Sequence, residues 1–148
     1  MLASDRALGR LAVLPGPTFG HSVAAGFTVH RGSIVAVCQD STIVPAGSTG
    51  TPSPLVAIVG LSPRLQINTG TFPGVGENVG PGPVTPEKGC WALPFDAAPT
   101  WANVGAPVYA IDDETVSLTE TPEGGTARLQ VGTLAGLDVD GTPYVLIP

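Results

Sequence analysis

The sequence predicts an all-β fold, a compact single-domain β-barrel or sandwich of short strands. Three observations lead there. Glycine and proline account for 20 and 16 of the 148 residues, and they punctuate the chain every few positions, which suits short strands and stops long helices. Apolar residues make up 43% of the chain and mean hydropathy is positive, whereas disordered linkers are poor in apolar residues. The stretch 105–119, GAPVYAIDDETVSLT, reads as a tight hairpin. Pro107 to Ile111 is β-branched and aromatic, Asp112-Asp113-Glu114 is an acidic tip, and Thr115 to Leu118 alternates with Val116 and Leu118 on one face. A chain of this length can bury roughly 70% of its unfolded surface, so one domain is expected to fold without staples.

Taken in order, residues 1–20 read as an extended N-terminal arm and residues 21–148 as the β domain. Within the arm, Ala7 to Leu14 allows one or two helical turns, which Pro15-Gly16-Pro17 stops. The arm is too short to own a core and is expected to lie over the domain or a neighbour. Phe27 to Val29 is a strand. Ser33 to Gln39 is another, with Ile34, Ala36 and Cys38 on one side and Val35 and Val37 on the other; two apolar faces predict a fully buried strand. Val44-Pro45-Ala46 and the stretch 47–54 read as a loop. Leu55 to Val59 is a strand ended by Gly60, and Leu65 to Asn68 a short one. Gly70 to Pro86 is a long Gly/Pro loop without periodicity, of the kind that is functional or ordered by a partner; it offers Phe72, Val75 and Val79 as contacts. Gly89 to Leu93 carries Trp91, and Phe95 to Trp101 is irregular. After the hairpin come a turn at 121–125, a strand at 127–134, an Asp-Gly turn at 138–141 and a last strand at 144–147. About nine short strands at this spacing fit a barrel or sandwich, with no repeat period.

Charge narrows the function classes. Only 12% of residues are charged, against about 25% in ordinary globular domains. A chain so poor in charge is expected to cover part of its surface with other subunits; a Ser/Thr/Gly-coated β protein is the plainer alternative. The charges are segregated, with a net of +2 over residues 1–76 and −8 over 77–148. The absence of any Lys/Arg cluster argues against a nucleic-acid partner, and an acidic face suits contact with another protein. No secretory signal is read at the N-terminus, and the longest apolar run, Leu55 to Leu61, is far too short to span a membrane.

Residues that carry chemistry are few. Cys38 or Cys90 as a nucleophile would need His21 or His30 beside it. Cys38 sits in an apolar strand, where a thiol acts as a small hydrophobe. Both cysteines are read as free, buried thiols of a reduced compartment, with a disulfide between them left open. No G-x-S-x-G supports a Ser/His/Asp triad. The acidic groups at 112–114 and 138–140 lack the alternating ligands, central Gly and closing Glu of a calcium loop, and Asp suits turn tips in any case. The glycines of 74–80 follow no strand and precede no helix, so they are no dinucleotide loop. The expectation is a protein with no catalytic group, metal or cofactor. Of the large aromatics, Tyr109 is assigned to the core, Trp101 to a contact surface, and Trp91 to either.

Several segments, in order over residues 22–148, resemble the capsid cement, or head decoration, proteins of tailed double-stranded DNA phages. They are AAGFTVHRGSIVAV at 24–37, Val44-Pro45-Ala46, Val56 to Gly60, Lys88-Gly89-Cys90-Trp91, GAPVYAIDDETV at 105–116, and Val131-Gly132-Thr133-Leu134. The resemblance implies an opening hairpin at 24–37 and a barrel-like domain on the outer surface of an icosahedral virion, made in the host cytoplasm. Its partners would be the major capsid protein and further copies of itself, as a homotrimer, with no nucleic acid and no membrane. The arm and the loop Gly70 to Pro86 look longer than the family minimum. Shell contacts are therefore expected at Arg6, Arg10, Phe72, Val75 and Val79, together with Trp91 and Trp101. The competing expectation is a receptor- or glycan-binding β module of a phage tail or fibre, with Trp91 and Trp101 as an aromatic platform. A small hydrolase is set aside because no nucleophile–base pair is evident.

Overall fold

A computed structural model describes residues 18–70 and 78–148. Among them the chain forms ten strands: β1 (Phe27–Val29), β2 (Ile34–Cys38), β3 (Ile43–Pro45), β4 (Leu55–Leu61), β5 (Gln66–Asn68), β6 (Gly89–Ala92), β7 (Pro107–Ala110), β8 (Val116–Ser117), β9 (Gln130–Leu137) and β10 (Pro143–Ile147). Among the described residues the one helical element is a single 3-10 turn, Trp101–Asn103. The strands make three antiparallel sheets, in the orders β6-β10-β9-β7-β8, β3-β2-β4 and β1-β5. The all-β expectation holds, and of its two versions the layered one applies, since each sheet ends in edge strands.

The layers follow from which side chains each strand buries. Ile34, Ala46 and Leu61 from the three-stranded sheet meet Val108, Ala110, Val116, Val131, Leu134, Val145 and Ile147 from the five-stranded sheet in one core. On the other side of the three-stranded sheet, Val35 and Ile43 pack with Val29, Val23 and Val84 in a second core. β2 therefore lies between two cores, and its Ile34, Val35 and Ala36 have no solvent exposure. Two apolar faces in IVAVC did predict a strand covered on both sides.

Several expectations need correcting. The opening hairpin is absent. β1 pairs with β5, Thr28 opposite Ile67, and the turn closed by the Ser33 N–H to the His30 carbonyl hands the chain from the outer layer to β2. Val44 and Pro45 belong to a strand rather than a loop. Val44 is fully buried, and proline is tolerated because β3 is an edge whose far side is bonded, at Ile43, to Ser22 and Ala24. Gly60 does not end β4. It carries the strand through a bulge against β2, where its φ of +141° and a Glu87 carbonyl 2.5 Å from any added Cβ leave room for glycine alone.

The strand expected at 127–134 lies at 130–137, and Tyr109 is half-buried on the face opposite Val108 and Ala110 rather than in the core. Cys38 is buried, but Cys90 is exposed; both thiols are free. The described end of the long loop, 78–86, does not protrude. Val84 exchanges backbone bonds with His21 and is fully buried, and Arg64 donates to the Pro83 carbonyl.

Candidate interface

The residues expected to make contacts separate into three sets. Arg6, Arg10, Phe72 and Val75 lie outside the described residues, as does the short helix expected at 7–14. Val79 is half-buried and bridged to Ile67 of β5, with the flanking Asn78 carbonyl and Gly80 N–H bonded to Ile67, so its backbone is fastened to the body of the fold. Trp91 and Trp101 are placed on opposite faces of the five-stranded sheet. Trp91 stands opposite Val145, packs against the main core, and has its indole N–H buried without a partner. Trp101 lies on the outer face, its ring edge 3.5 Å from where a Cβ on Gly136 would stand. The two indoles do not form one platform.

The register of the sheet defines that outer face. Tyr144 stands opposite Ala92 on one side and Gly136 on the other, and Leu146 opposite Cys90 and Thr133. Pro107 then faces Thr133, and Tyr109 faces Gln130. Directly opposed residues share a face, so Cys90, Ala92, Tyr144, Leu146, Thr133 and Tyr109 line one surface while Val145 and Ile147 point into the core. Among the described residues, the five strands of this sheet contain no Asp, Glu, Lys or Arg. Leu146 is 46% exposed and Trp101 66%.

Trp101 is held rather than loose. The Asn103 side chain accepts from the Thr100 N–H at 2.8 Å, the Asn103 N–H donates to the Thr100 carbonyl, and the Gly105 N–H donates to the Leu134 carbonyl on β9. The 3-10 turn is thereby fastened to the sheet its tryptophan covers. An exposed, preorganised indole on an uncharged sheet is the composition of an interface centre, where aromatics are enriched and charges depleted.

The acidic hairpin tip serves a different purpose. The Ser33 hydroxyl donates to Asp113 Oδ2 at 2.7 Å and accepts from the His30 N–H, and the Ile34 N–H donates to the Asp113 carbonyl at 2.7 Å. The tip thus ties the five-stranded sheet to the start of β2. Asp112 Oδ1 accepts from the Glu114 and Thr115 N–H groups at 2.9 and 2.6 Å. Partial burial pushes its carboxyl up, but these amide donors outweigh burial and hold it below its ordinary value. An open cleft of about 490 Å³ beside the tip is lined by His30, Arg31, Gly32, Ser33, Asp113 and Glu114. The Ser33 hydroxyl is committed to Asp113 there, which makes it a tie and not a nucleophile paired with a base.

Burial pushes the Cys38 thiol up, with the Asp40 carboxylate adding to the rise, the setting of an inert structural cysteine. Among the described residues, no three His, Cys, Asp or Glu side chains are grouped so as to hold a metal ion, and no helix is long and apolar enough to cross a membrane.

Leu146 and Tyr144 were not singled out from the sequence, and Cys90 was read as a buried thiol rather than as part of an exposed face. The alternation in PYVLI and GCWA does place each of them on one face, but a strand pattern alone does not tell which of two apolar faces is covered. No family model, curated protein or solved structure matches this chain.

Proposed function

We propose that this chain is a structural virion protein that binds the outer surface of an icosahedral phage head and reinforces contacts between major capsid protein subunits. The observation that carries the reading is the uncharged outer face of the five-stranded sheet with Trp101 fixed upon it. A chain with 12% charged residues and a rigid apolar face is suited to being completed by a neighbour. The resemblance of residues 22–148 to capsid cement proteins supplies the partner, the shell location and the clustering of copies as a trimer. A subunit that binds the assembled lattice better than free coat protein stabilises that lattice by mass action, and clustered copies bind more tightly through effective concentration. The role requires no catalytic group.

The test is binding of the purified chain to expanded shells that lack it, followed by cosedimentation. Trp101→Arg and Leu146→Asp are expected to weaken binding by at least about thirtyfold, the scale of an interface hot spot, with the fold intact by circular dichroism. Cys90, exposed on the same face, should lose reactivity toward a thiol reagent once the chain is on the shell. Undiminished binding by both variants, with Cys90 still reactive, would remove this face from the contact. No binding of the unaltered chain to any shell would end the proposal.

A further inference from the structure

The negative charge of the second half of the chain has a definite place in the fold. All five strands of the sheet beneath Trp101 come from residues 89–147, within the half whose net charge is −8. None of those strands holds a charged residue, so the carboxylates sit in the connections. One connection, the β9–β10 turn Asp138-Val139-Asp140-Gly141, runs on directly from the strand that Trp101 covers.

The register places this turn against the outer face. Gly136, on which the Trp101 ring lies, stands opposite Tyr144. The ladder continues past it, since the Asp138 N–H donates to the Thr142 carbonyl at 2.9 Å. Alternation therefore puts Asp138 on the same face as Gly136, about 7 Å further along the strand. The tip is built by its own carboxylates. Asp138 Oδ1 accepts from the Val139 N–H at 2.7 Å and Asp140 Oδ1 from the Thr142 N–H at 2.9 Å. Asp138, Val139 and Asp140 are all exposed, Val139 completely. An apolar sheet face with a fixed indole thus ends in two backbone-held carboxylates around an exposed valine.

We infer that this face docks on a protein surface whose apolar patch is flanked by basic side chains, with an arginine or lysine seated between Trp101 and the Asp138–Asp140 turn. Charge complementarity selects the occupant. A second copy would bring the same carboxylates against these, and a nucleic acid its phosphates, and like charges set face to face cost affinity. A basic side chain answers both features at once, because a cation is drawn to an indole face and pairs with a carboxylate; the planar guanidinium of arginine does both best. The inference rests on the capsid reading for which protein the partner is, and adds the chemistry that the coat lattice must present.

The experiment measures the association rate of the full chain with expanded shells that lack it, from about 0.03 to 0.3 M salt. Asp138→Asn/Asp140→Asn keeps the acceptor oxygens of the turn and removes two charges. Glu87→Gln/Glu114→Gln removes the same charge elsewhere: Glu87 is bridged to Leu61 of β4, and Glu114 lies at the hairpin tip that grips β2. The rate for the unaltered chain is expected to fall at least about tenfold across the salt range. The Asp138/Asp140 variant should associate about threefold or more slowly at low salt and depend less on salt, and the Glu87/Glu114 variant should match the unaltered chain. Binding that ignores both salt and the Asp138/Asp140 change would overturn the inference and leave the capsid reading standing. So would equal slowing by both variants, which would trace to net charge alone, or faster binding by Asp138→Asn/Asp140→Asn, which would assign the face to an acidic partner such as a second copy. An unaltered chain that binds no shell at any salt would end the inference together with the capsid reading.

Discussion

The three-stranded and five-stranded sheets are built from strands of the same character and end in different surroundings. β2 reads IVAVC and is covered on both faces. β10 reads PYVLI and β6 GCWA, and only one face of each is covered by the described residues, leaving Leu146, Cys90 and Ala92 outward. Hydropathy alone does not distinguish them. What distinguishes them is whether the rest of the polypeptide supplies a second layer. β1, β5 and the segments around Val23 and Val84 do so for β2, and nothing among the described residues does so for the sheet that carries Trp101. The uncovered sheet is the place to look for a partner.

The sharpest way to break this comparison is to place a charge at equivalent positions of the two sheets. Val35 is fully buried in the second core. An aspartate there is an unpaired buried charge costing several kcal/mol, a large part of the roughly 5–15 kcal/mol that holds a domain folded. Val35→Asp is expected to leave no cooperative urea transition. Leu146→Asp, on the open face, should shift stability by no more than about 1 kcal/mol. Comparable destabilisation by both would mean that the outer face is already buried within the chain.

A second probe asks how tightly the open sheet is built. Gly132 on β9 is buried, and a Cβ added to it would collide with the Leu146 carbonyl on β10. Its backbone is not in the left-handed region, so the cost of Gly132→Ala is steric and not conformational. Strands forced apart at this point should cost about 1–3 kcal/mol, the usual scale of overpacking, read as a lower urea midpoint with unchanged slope. Tolerance of alanine would mean that β9 and β10 slide freely, and a loose sheet cannot present Trp101 at a fixed position.

Trp101→Ala is expected to matter less to the fold than either. The ring is 66% exposed and lies on Gly136, outside the main core, so its loss should change stability by about 1 kcal/mol or less. The same substitution should be among the most damaging for binding if the uncovered sheet meets a partner. A large stability loss together with unchanged binding would reverse the roles given to the two sheets.

How far the sequence could be read follows the same division. Strands whose fate depends on their own pattern were legible: β2 from its two apolar faces, the β7–β8 hairpin from its acidic tip, the turn at 138–141 from its Asp-Gly pair. Features decided by a distant segment were not. Gly60 looks like a strand ender until the Glu87 carbonyl is seen beside it. Val44-Pro45 looks like a loop until Ser22 and Ala24 are found bonded to its neighbour. Phe27 to Val29 looks like the first half of a hairpin until Gln66 to Asn68 takes its edge. Trp101 was legible as exposed because its Ala/Pro surroundings offer no strand to bury it. Leu146 was not, because PYVLI is equally consistent with burial on either face.

The smallest effect tests the joint between the two sheets. The hairpin tip grips β2 through Asp113, and Asp112 organises the tip by accepting the Glu114 and Thr115 N–H groups. Those donors hold the folded Asp112 carboxyl below its ordinary value. A carboxyl depressed in the folded state contributes stability that is complete above its unfolded value of about 3.9 and is lost as pH falls through the folded value. Stability should therefore drop on acidification below about pH 4, and Asp112→Asn should flatten that drop. Asp40 and Asp140 are also held low by Thr42 and Thr142 donors, so the difference between the two pH curves, and not the parent curve, isolates Asp112. Solvent exposure of the tip should keep that difference under about 1 kcal/mol. A parent and variant whose urea midpoints fall in parallel between pH 5 and pH 3, on the order of one unit either side of the unfolded value, would show that the tip's backbone bonds hold the sheets together without help from the Asp112 charge.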